Sequence, residues 1–285
     1  MLEQIIQILE KHIEHYAVTP YGDGTSAIVF FLPYAPYRSV TGMFIDAYYR
    51  ASDKLYDITG QIINELNAAG FQAEREKRHN YKQLAVKSGL TAPLKNTLTA
   101  APEYGTRIVI GVIRVKGSYE FITKSANICV NCGKCATACP TGAISEQGFH
   151  RERCIRQMQN LSREIAEGDL ALIGTRFLGC DLCQRACPAN KDLSGSDPDP
   201  IVREYMRAGH MIEKAAEGKK ALIDLEPYIG KNYLRPKKLL ILALIAAYNI
   251  NDFSAKETVK SLIDDKDERV RFYAKRLLEK YNNSQ

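Results

Sequence analysis

All eight cysteines of the 285-residue chain lie between Cys129 and Cys187, and their spacing is that of a ligand set. Cys129, Cys132, Cys135 and Cys139, followed by Pro140, read C-x2-C-x2-C-x3-C-P. In such a run three thiolates hold one iron–sulfur cluster and the fourth reaches across to another. Cys180, Cys183 and Cys187, followed by Pro188, form a second run that is short of one early cysteine. Cys154 stands alone between the runs and supplies the eighth ligand. The spacing assigns Cys129, Cys132, Cys135 and Cys187 to one [4Fe–4S] cluster, and Cys139, Cys154, Cys180 and Cys183 to a second. Thiolates are soft ligands suited to iron. The prolines after Cys139 and Cys187 end each ligand loop and turn the chain away. Two zinc sites of four cysteines are the alternative, although zinc favours paired C-x2-C knuckles. Disulfides would need an oxidising compartment and would staple the whole fold rather than gather in one segment.

Two adjacent clusters make an electron wire, and the flanking regions must supply what stands at its end. The composition, 45% hydrophobic and 25% charged, is ordinary globular usage. Disorder, collagen and coiled coil are therefore excluded as whole-chain descriptions. The length suits two or three units. The longest apolar run, residues 239–248, is half of the roughly 20 residues that a membrane span needs. The amphipathic, acid-bearing N-terminus reads as neither a secretory signal nor a transit peptide, so no membrane and a cytoplasmic location are expected.

Ahead of the cysteines the chain reads as an α/β unit. Apolar residues at helical spacing predict helices over 1–16, 41–69 and 80–88, the last two closed by Gly70 and Gly89. Apolar runs at 27–32 and 107–115 predict strands. No P-loop and no G-x-G-x-x-G occurs, and the scattered histidines (His12, His15, His79, His150, His210) read as ordinary residues. After the cysteines, residues 191–200 have linker composition, and the rest reads as helical. Helices are expected at 236–250, at 255–263 with Ser254 as N-cap and Glu257 completing a capping box, and at 267–281. Short paired helices of this kind look HEAT-like. Lys214, Lys219, Lys220, Lys231, Arg235, Lys237, Lys238, Arg269, Arg271, Lys275, Arg276 and Lys280 gather there, within a net charge of +6. They suit a phosphate-backbone surface or, with acids interspersed, a solvated face.

In this order the parts resemble the epoxyqueuosine reductase family. The resemblance rests on Cys129 to Ile144, on Gly179-Cys-Asp-Leu-Cys-Gln-Arg-Ala-Cys-Pro188 with Cys154 upstream, and on Leu94-Lys-Asn-Thr-Leu98 and Pro102-Glu-Tyr-Gly105. It implies an N-terminal corrinoid-type α/β domain (1–120) like that of reductive dehalogenases. A bacterial-ferredoxin-like domain with two [4Fe–4S] clusters (121–198) and an all-α HEAT-like domain (199–285) follow. It implies a cobalamin enzyme that takes electrons from an external donor of flavodoxin or ferredoxin type. The clusters pass them to the corrinoid, which deoxygenates epoxyqueuosine in tRNA held by the basic helical tail. Lys95, Asn96, Thr97 and Tyr104 are the positions that the resemblance places nearest the corrinoid.

The chain also departs from the family. Arg75 stands where the family carries its general-acid aspartate, and Gly89-Leu-Thr-Ala-Pro-Leu-Lys-Asn96 lacks two of the family's glycines and its tryptophan. Opening an epoxide needs a proton for the leaving oxygen. Glu74, Glu76 and Tyr104 are the replacement candidates, with Tyr81 a further phenol. Two other readings accommodate the lost acid. One is a two-cluster electron carrier that reduces a partner such as a corrinoid protein. The other is an RNA-binding module whose clusters are structural.

Overall fold

In the computed structural model the N-terminal helix occupies Leu2–Glu10, shorter than the expected 1–16, and His15–Pro20 is a strand. Ile5, Ile8 and Leu9 form the buried helix face. Gly22 and Gly24, both at positive φ, then turn the chain so that His15–Pro20 pairs antiparallel with Thr25–Pro33. The structure describes residues 1–38, 42–124, 127–161, 165, 167–191 and 193–284. Thr41, the expected start of the long helix, and Asp192, inside the expected linker, lie outside them. The chain forms two units interleaved along the sequence. Met1–Ala35, Arg50–Ala138 and Leu182–Ser194 make the first, and Pro36–Tyr49, Cys139–Asp181 and Gly195–Gln285 the second.

The first unit is built on a four-stranded antiparallel sheet in the order His15–Pro20, Thr25–Pro33, Ile108–Lys116, Ala73–Arg75. Its two central strands are those expected from the apolar runs. Ala17, Ala27, Val29 and Val112 pack with Leu84 and Ala85 of the helix Tyr81–Lys87. Val18, Ile28, Phe30 and Ile113, of the opposite parity, are equally buried, so the middle of the sheet is covered on both faces. Asn80 caps that helix by accepting the Lys82 N–H at 3.0 Å. Gly89 ends it with φ +73, where a Cβ would stand 1.7 Å from the Thr123 carbonyl oxygen.

The long helix runs Tyr48–Ala68 rather than 41–69. Phe44–Ile45 is instead a short strand, paired parallel with Arg176–Leu178. Asp46 Oδ1 accepts the Tyr48 N–H at 3.1 Å, so the helix begins only after this capping residue. In the second unit Pro236–Ile250 occupies the expected span, and Leu239 to Ala247 are all buried. It packs against Ala208–Glu217 and Glu268–Asn282, the latter capped by Asp267. Ser254 is not the N-cap of the helix between them, which spans Lys256–Ser261 and starts from Ala255. The Ser254 hydroxyl donates to Asp252 at 2.6 Å, and Glu257 pairs with Lys260 instead of closing a capping box. Among the described residues no helix is long and apolar enough to cross a membrane.

Candidate metal centre

Cys129 and Cys132 lie on a loop that bends sharply because Asn131 (φ 51) and Gly133 (φ 72) adopt left-handed backbone. The short helix Lys134–Thr137 carries Cys135 and packs on Leu182–Arg185, after which Cys187 enters. Cys129, Cys132, Cys135 and Cys187 border one open cleft, together with Lys95 and Asn96. Cys132 is exposed and the other seven cysteines are half-buried. Burial pushes the Cys135 thiol pKa up, and the neighbouring Cys187 and Cys129 push it further. Among the described residues no three His, Cys, Asp or Glu side chains are placed to hold a single metal ion. A cubane cluster takes one thiolate at each of four separate iron corners, which matches in number the four cysteines that line this cleft.

Side chains on both sides of Cys187 pin it. Asn190 Oδ1 accepts the Thr106 N–H at 2.8 Å, while Asn190 Nδ2 donates to Thr106 Oγ1 at 2.8 Å and to the Gln184 carbonyl at 2.7 Å. Thr106 Oγ1 donates to Gln184 Oε1 at 2.8 Å. All three residues are buried, so this network is shielded from competing water. Gly105 makes it possible, because a Cβ there would lie 2.0 Å from Asn190 Oδ1. Gly105 belongs to the quoted P-E-Y-G segment and Asn190 ends the quoted cysteine motif. Their pairing across 84 residues gives no local pattern to read.

Of the remaining cysteines, Cys183 belongs to the first unit, and Cys139, Cys154 and Cys180 to the second. Within the second unit a buried glutamine, Gln159, plays the part of Asn190. Its Nε2 donates to the carbonyls of Arg176 (2.8 Å) and Gly179 (3.0 Å), and its Oε1 accepts the Gly179 N–H at 2.8 Å. The turn after Cys154 is thereby tied to the backbone that delivers Cys180.

Lys95, Asn96 and Thr97 sit in the loop of a small hairpin, Ala92–Pro93 against Thr99–Ala100. Thr97 is at φ 64, and Lys82 Nζ donates to its carbonyl at 2.7 Å. Lys82 is half-buried, which pushes its pKa down, and sequence reasoning assigned it no part in the site. Tyr104 lies apart from the cleft lining, with its ring 4.9 Å from His15 and 5.8 Å from Phe31.

The carboxylate candidates differ sharply. Glu74 is exposed on the edge strand, opposite Arg114 at 3.6 Å. Glu76 is buried and accepts from the Tyr21 hydroxyl (2.9 Å), the Arg78 N–H (2.5 Å) and the His79 N–H (3.2 Å). Burial pushes its pKa up, but the Arg78 N–H, the Tyr21 hydroxyl and the His79 donors outweigh this and hold it at about 2. The Tyr81 hydroxyl donates to the Glu76 carbonyl. Arg75 stacks over the Tyr56 ring at 3.7 Å and donates to its carbonyl at 2.6 Å, a purely structural engagement.

Because the folded-state pKa of Glu76 is depressed, its carboxylate stabilises the fold above the ordinary value of 4.5. That contribution is lost as pH falls from there through about 2. Glu76→Gln is expected to cost on the order of 2 kcal/mol at neutral pH. Urea unfolding at pH 7 and pH 3 checks this, since the gap to wild type should narrow at pH 3. An equal gap at both would contradict the assignment.

Several basic residues of the tail are engaged within the second unit. Lys237 pairs with Asp265 (3.2 Å), Arg269 pairs with Asp267 (3.2 Å), and Arg271 donates to the Asp265 carbonyl (2.7 Å). Lys280 lies over the Tyr248 ring at 4.2 Å. Lys219, Lys220, Lys231, Arg235 and Lys275 are exposed.

Residues 128–190 match the family model of the 4Fe-4S double cluster binding domain, so the segment that brings the cysteines together is of the paired iron–sulfur class. The proteins that the chain resembles are epoxyqueuosine reductases. It is 32% identical over 127 residues to that of Bacillus subtilis (strain 168), covering 42% of this chain and 33% of the relative. It is 27% identical over 188 residues to that of Listeria monocytogenes, covering 64% and 48%. The chain thus spans less than half the length of these curated relatives. Among solved structures, a selenomethionine-labelled epoxyqueuosine reductase superposes with a TM-score of 0.78 at 18% identity, over 98% of this chain and 89% of that one. An epoxyqueuosine reductase with an epoxyqueuosine-modified tRNA-Tyr stem loop gives 0.73 at 20% identity, over 91% and 74%. The fold is that of the epoxyqueuosine reductases, as the sequence motifs implied.

Proposed function

We propose that the chain is an iron–sulfur oxidoreductase of the epoxyqueuosine reductase kind. An external donor of flavodoxin or ferredoxin type supplies electrons, which pass through two [4Fe–4S] clusters to a bound corrinoid and reduce epoxyqueuosine in tRNA. The ligand sets are those assigned by spacing, on domains at 1–120, 121–198 and 199–285, in a cytoplasmic protein. The observation that carries this reading is the shared cleft. Cys129, Cys132, Cys135 and Cys187 border the same space as Lys95 and Asn96, two of the residues proposed to hold the corrinoid. An electron donor and its acceptor need that adjacency. Asn96 is buried, and among the described residues its amide nitrogen has no partner, which fits a hairpin built to meet a bound group. A cobalamin bound there would supply a strongly reducing cobalt centre.

Taking the oxygen from an epoxide to leave an alkene consumes two electrons and two protons and releases water. The chain must hold one of those protons near the leaving oxygen. A carboxylate fixed at about 2 is ionised at neutral pH, so Glu76 organises the Tyr21–His79 corner rather than donating. Glu74 is exposed and faces Arg114. We assign the proton to Tyr104, a phenol held by a turn with Glu103 and Gly105 both at positive φ. Tyr104→Phe is expected to lower turnover roughly 10²-fold while leaving iron content unchanged. Unchanged turnover would move the role elsewhere. The exposed lysines of the tail are the surface proposed for tRNA, a reading supported by the stem-loop complex of the similar reductase. The direct test is anaerobic turnover of an epoxyqueuosine stem loop by the cluster- and cobalamin-loaded protein, read by mass spectrometry as loss of one oxygen.

Arg75 favours a second reading. With its guanidinium committed to Tyr56 at the position of the family's acid, the chain also suits a two-cluster carrier that reduces a separate corrinoid protein. Reduction of such a partner with no turnover of the stem loop would select it.

A further inference from the structure

We infer that the Asn96 carboxamide donates a hydrogen bond to the cluster held by Cys129, Cys132, Cys135 and Cys187, and thereby sets that cluster's potential. The inference rests on the cluster placement proposed above. Asn96 is 4% exposed, and it borders the cleft lined by the four thiols. Its Oδ1 accepts the Leu98 N–H at 3.2 Å, which fixes the orientation of the amide, since a flipped group would set NH2 against N–H. Nδ2 is then a donor with no acceptor among the described residues and no access to water. Buried donors are ordinarily satisfied, so this one points to a partner that enters with the cofactor.

The loop is built to hold that donor still. Leu94 and Leu98 close it with a backbone hydrogen bond of 3.0 Å, the Thr97 N–H reaches the Leu94 carbonyl at 2.9 Å, and Lys82 Nζ binds the Thr97 carbonyl at 2.7 Å. The sulfurs of a [4Fe–4S] cluster with four thiolate ligands are the acceptors that the cleft would present. Hydrogen bonds to cluster sulfurs favour the more negative, reduced state and raise the potential. Asn96 is thus a positioning residue on the cluster side of the hairpin, with Lys95 beside it.

The test uses the full chain, anaerobically reconstituted and free of cobalamin, in an EPR-monitored redox titration. Asn96→Asp keeps the acceptor for Leu98 and removes the donor; Asn96→Ala removes both. In each, iron content should stay at the wild-type level and one of the two midpoints should fall. At the wild-type midpoint the reduced-to-oxidised ratio should drop at least tenfold, 59 mV for a one-electron couple. The other midpoint should not move. Two unchanged midpoints at full iron content would overturn the inference. If the variants fail to assemble, pulsed EPR of protein labelled with side-chain 15N-asparagine decides, in an Asn131→Gly background that removes the other asparagine of the cleft. A 15N coupling to the reduced cluster supports the inference and its absence overturns it. Should Cys132→Ala leave iron content and both midpoints at wild-type values, the cluster placement itself fails, which is a different outcome from a cluster that ignores Asn96.

Discussion

Cys187→Ala is expected to remove one cluster and spare the other, halving the iron from about eight to about four per chain. Cys187 is far in sequence from Cys129, Cys132 and Cys135, yet it borders the same cleft, and the Gln184–Thr106–Asn190 network holds the backbone on either side of it. The assignment of ligands makes a sharper claim about pairs. Cys129→Ala with Cys187→Ala strikes one cluster twice and should keep about four irons. Cys129→Ala with Cys183→Ala strikes both and should keep almost none. Iron and acid-labile sulfide analysis after anaerobic reconstitution reads the difference. The reverse order of the two double variants would show that Cys187 and Cys183 have exchanged sets.

Gly105→Ala should be among the most damaging single-methyl additions in the first unit. The backbone there has φ +51, which alone costs an alanine about 1 kcal/mol. The new Cβ would also stand 2.0 Å from Asn190 Oδ1 and 2.4 Å from the Ala189 carbonyl oxygen. Neither atom can yield cheaply, since Oδ1 is held by the Thr106 N–H and the other is backbone. We expect a loss of about 3 kcal/mol or more, together with loss of the cluster that depends on Cys187. Gly133→Ala is the control: it shares the positive φ but meets nothing within 4 Å, so it should cost only about 1 kcal/mol. Thermal unfolding with iron content checks both, and equal effects would contradict the close-approach argument.

The parts of this fold legible in sequence are those whose signal is local. Cysteine spacing and a long apolar helix such as Pro236–Ile250 are written in consecutive residues. The edge strand Ala73–Arg75 escaped because its polar side chains carry no apolar pattern and its place depends on pairing with Arg114 and its neighbours. Phe44 fits a helical period and so predicts too early a start for the long helix, whereas Asp46 and the strand Arg176–Leu178, remote in sequence, decide the boundary. The candidate site divides in the same way. The motif around Lys95 and Asn96 could be read, but the orphaned amide of Asn96, the anchoring of its loop by Lys82 and the saturation of Glu76 belong to three-dimensional packing. The sequence likewise carries no sign that Arg75 stacks over Tyr56, a contact made across 19 residues.

A corrinoid beside the cleft is what separates the reductase from the two-cluster carrier. Cob(II)alamin should be titrated into the anaerobically reconstituted chain and followed by EPR. A stoichiometric base-off cob(II)alamin signal is the predicted result. No binding at high micromolar cobalamin, in protein carrying both clusters, would contradict the corrinoid reductase and leave the two-cluster carrier.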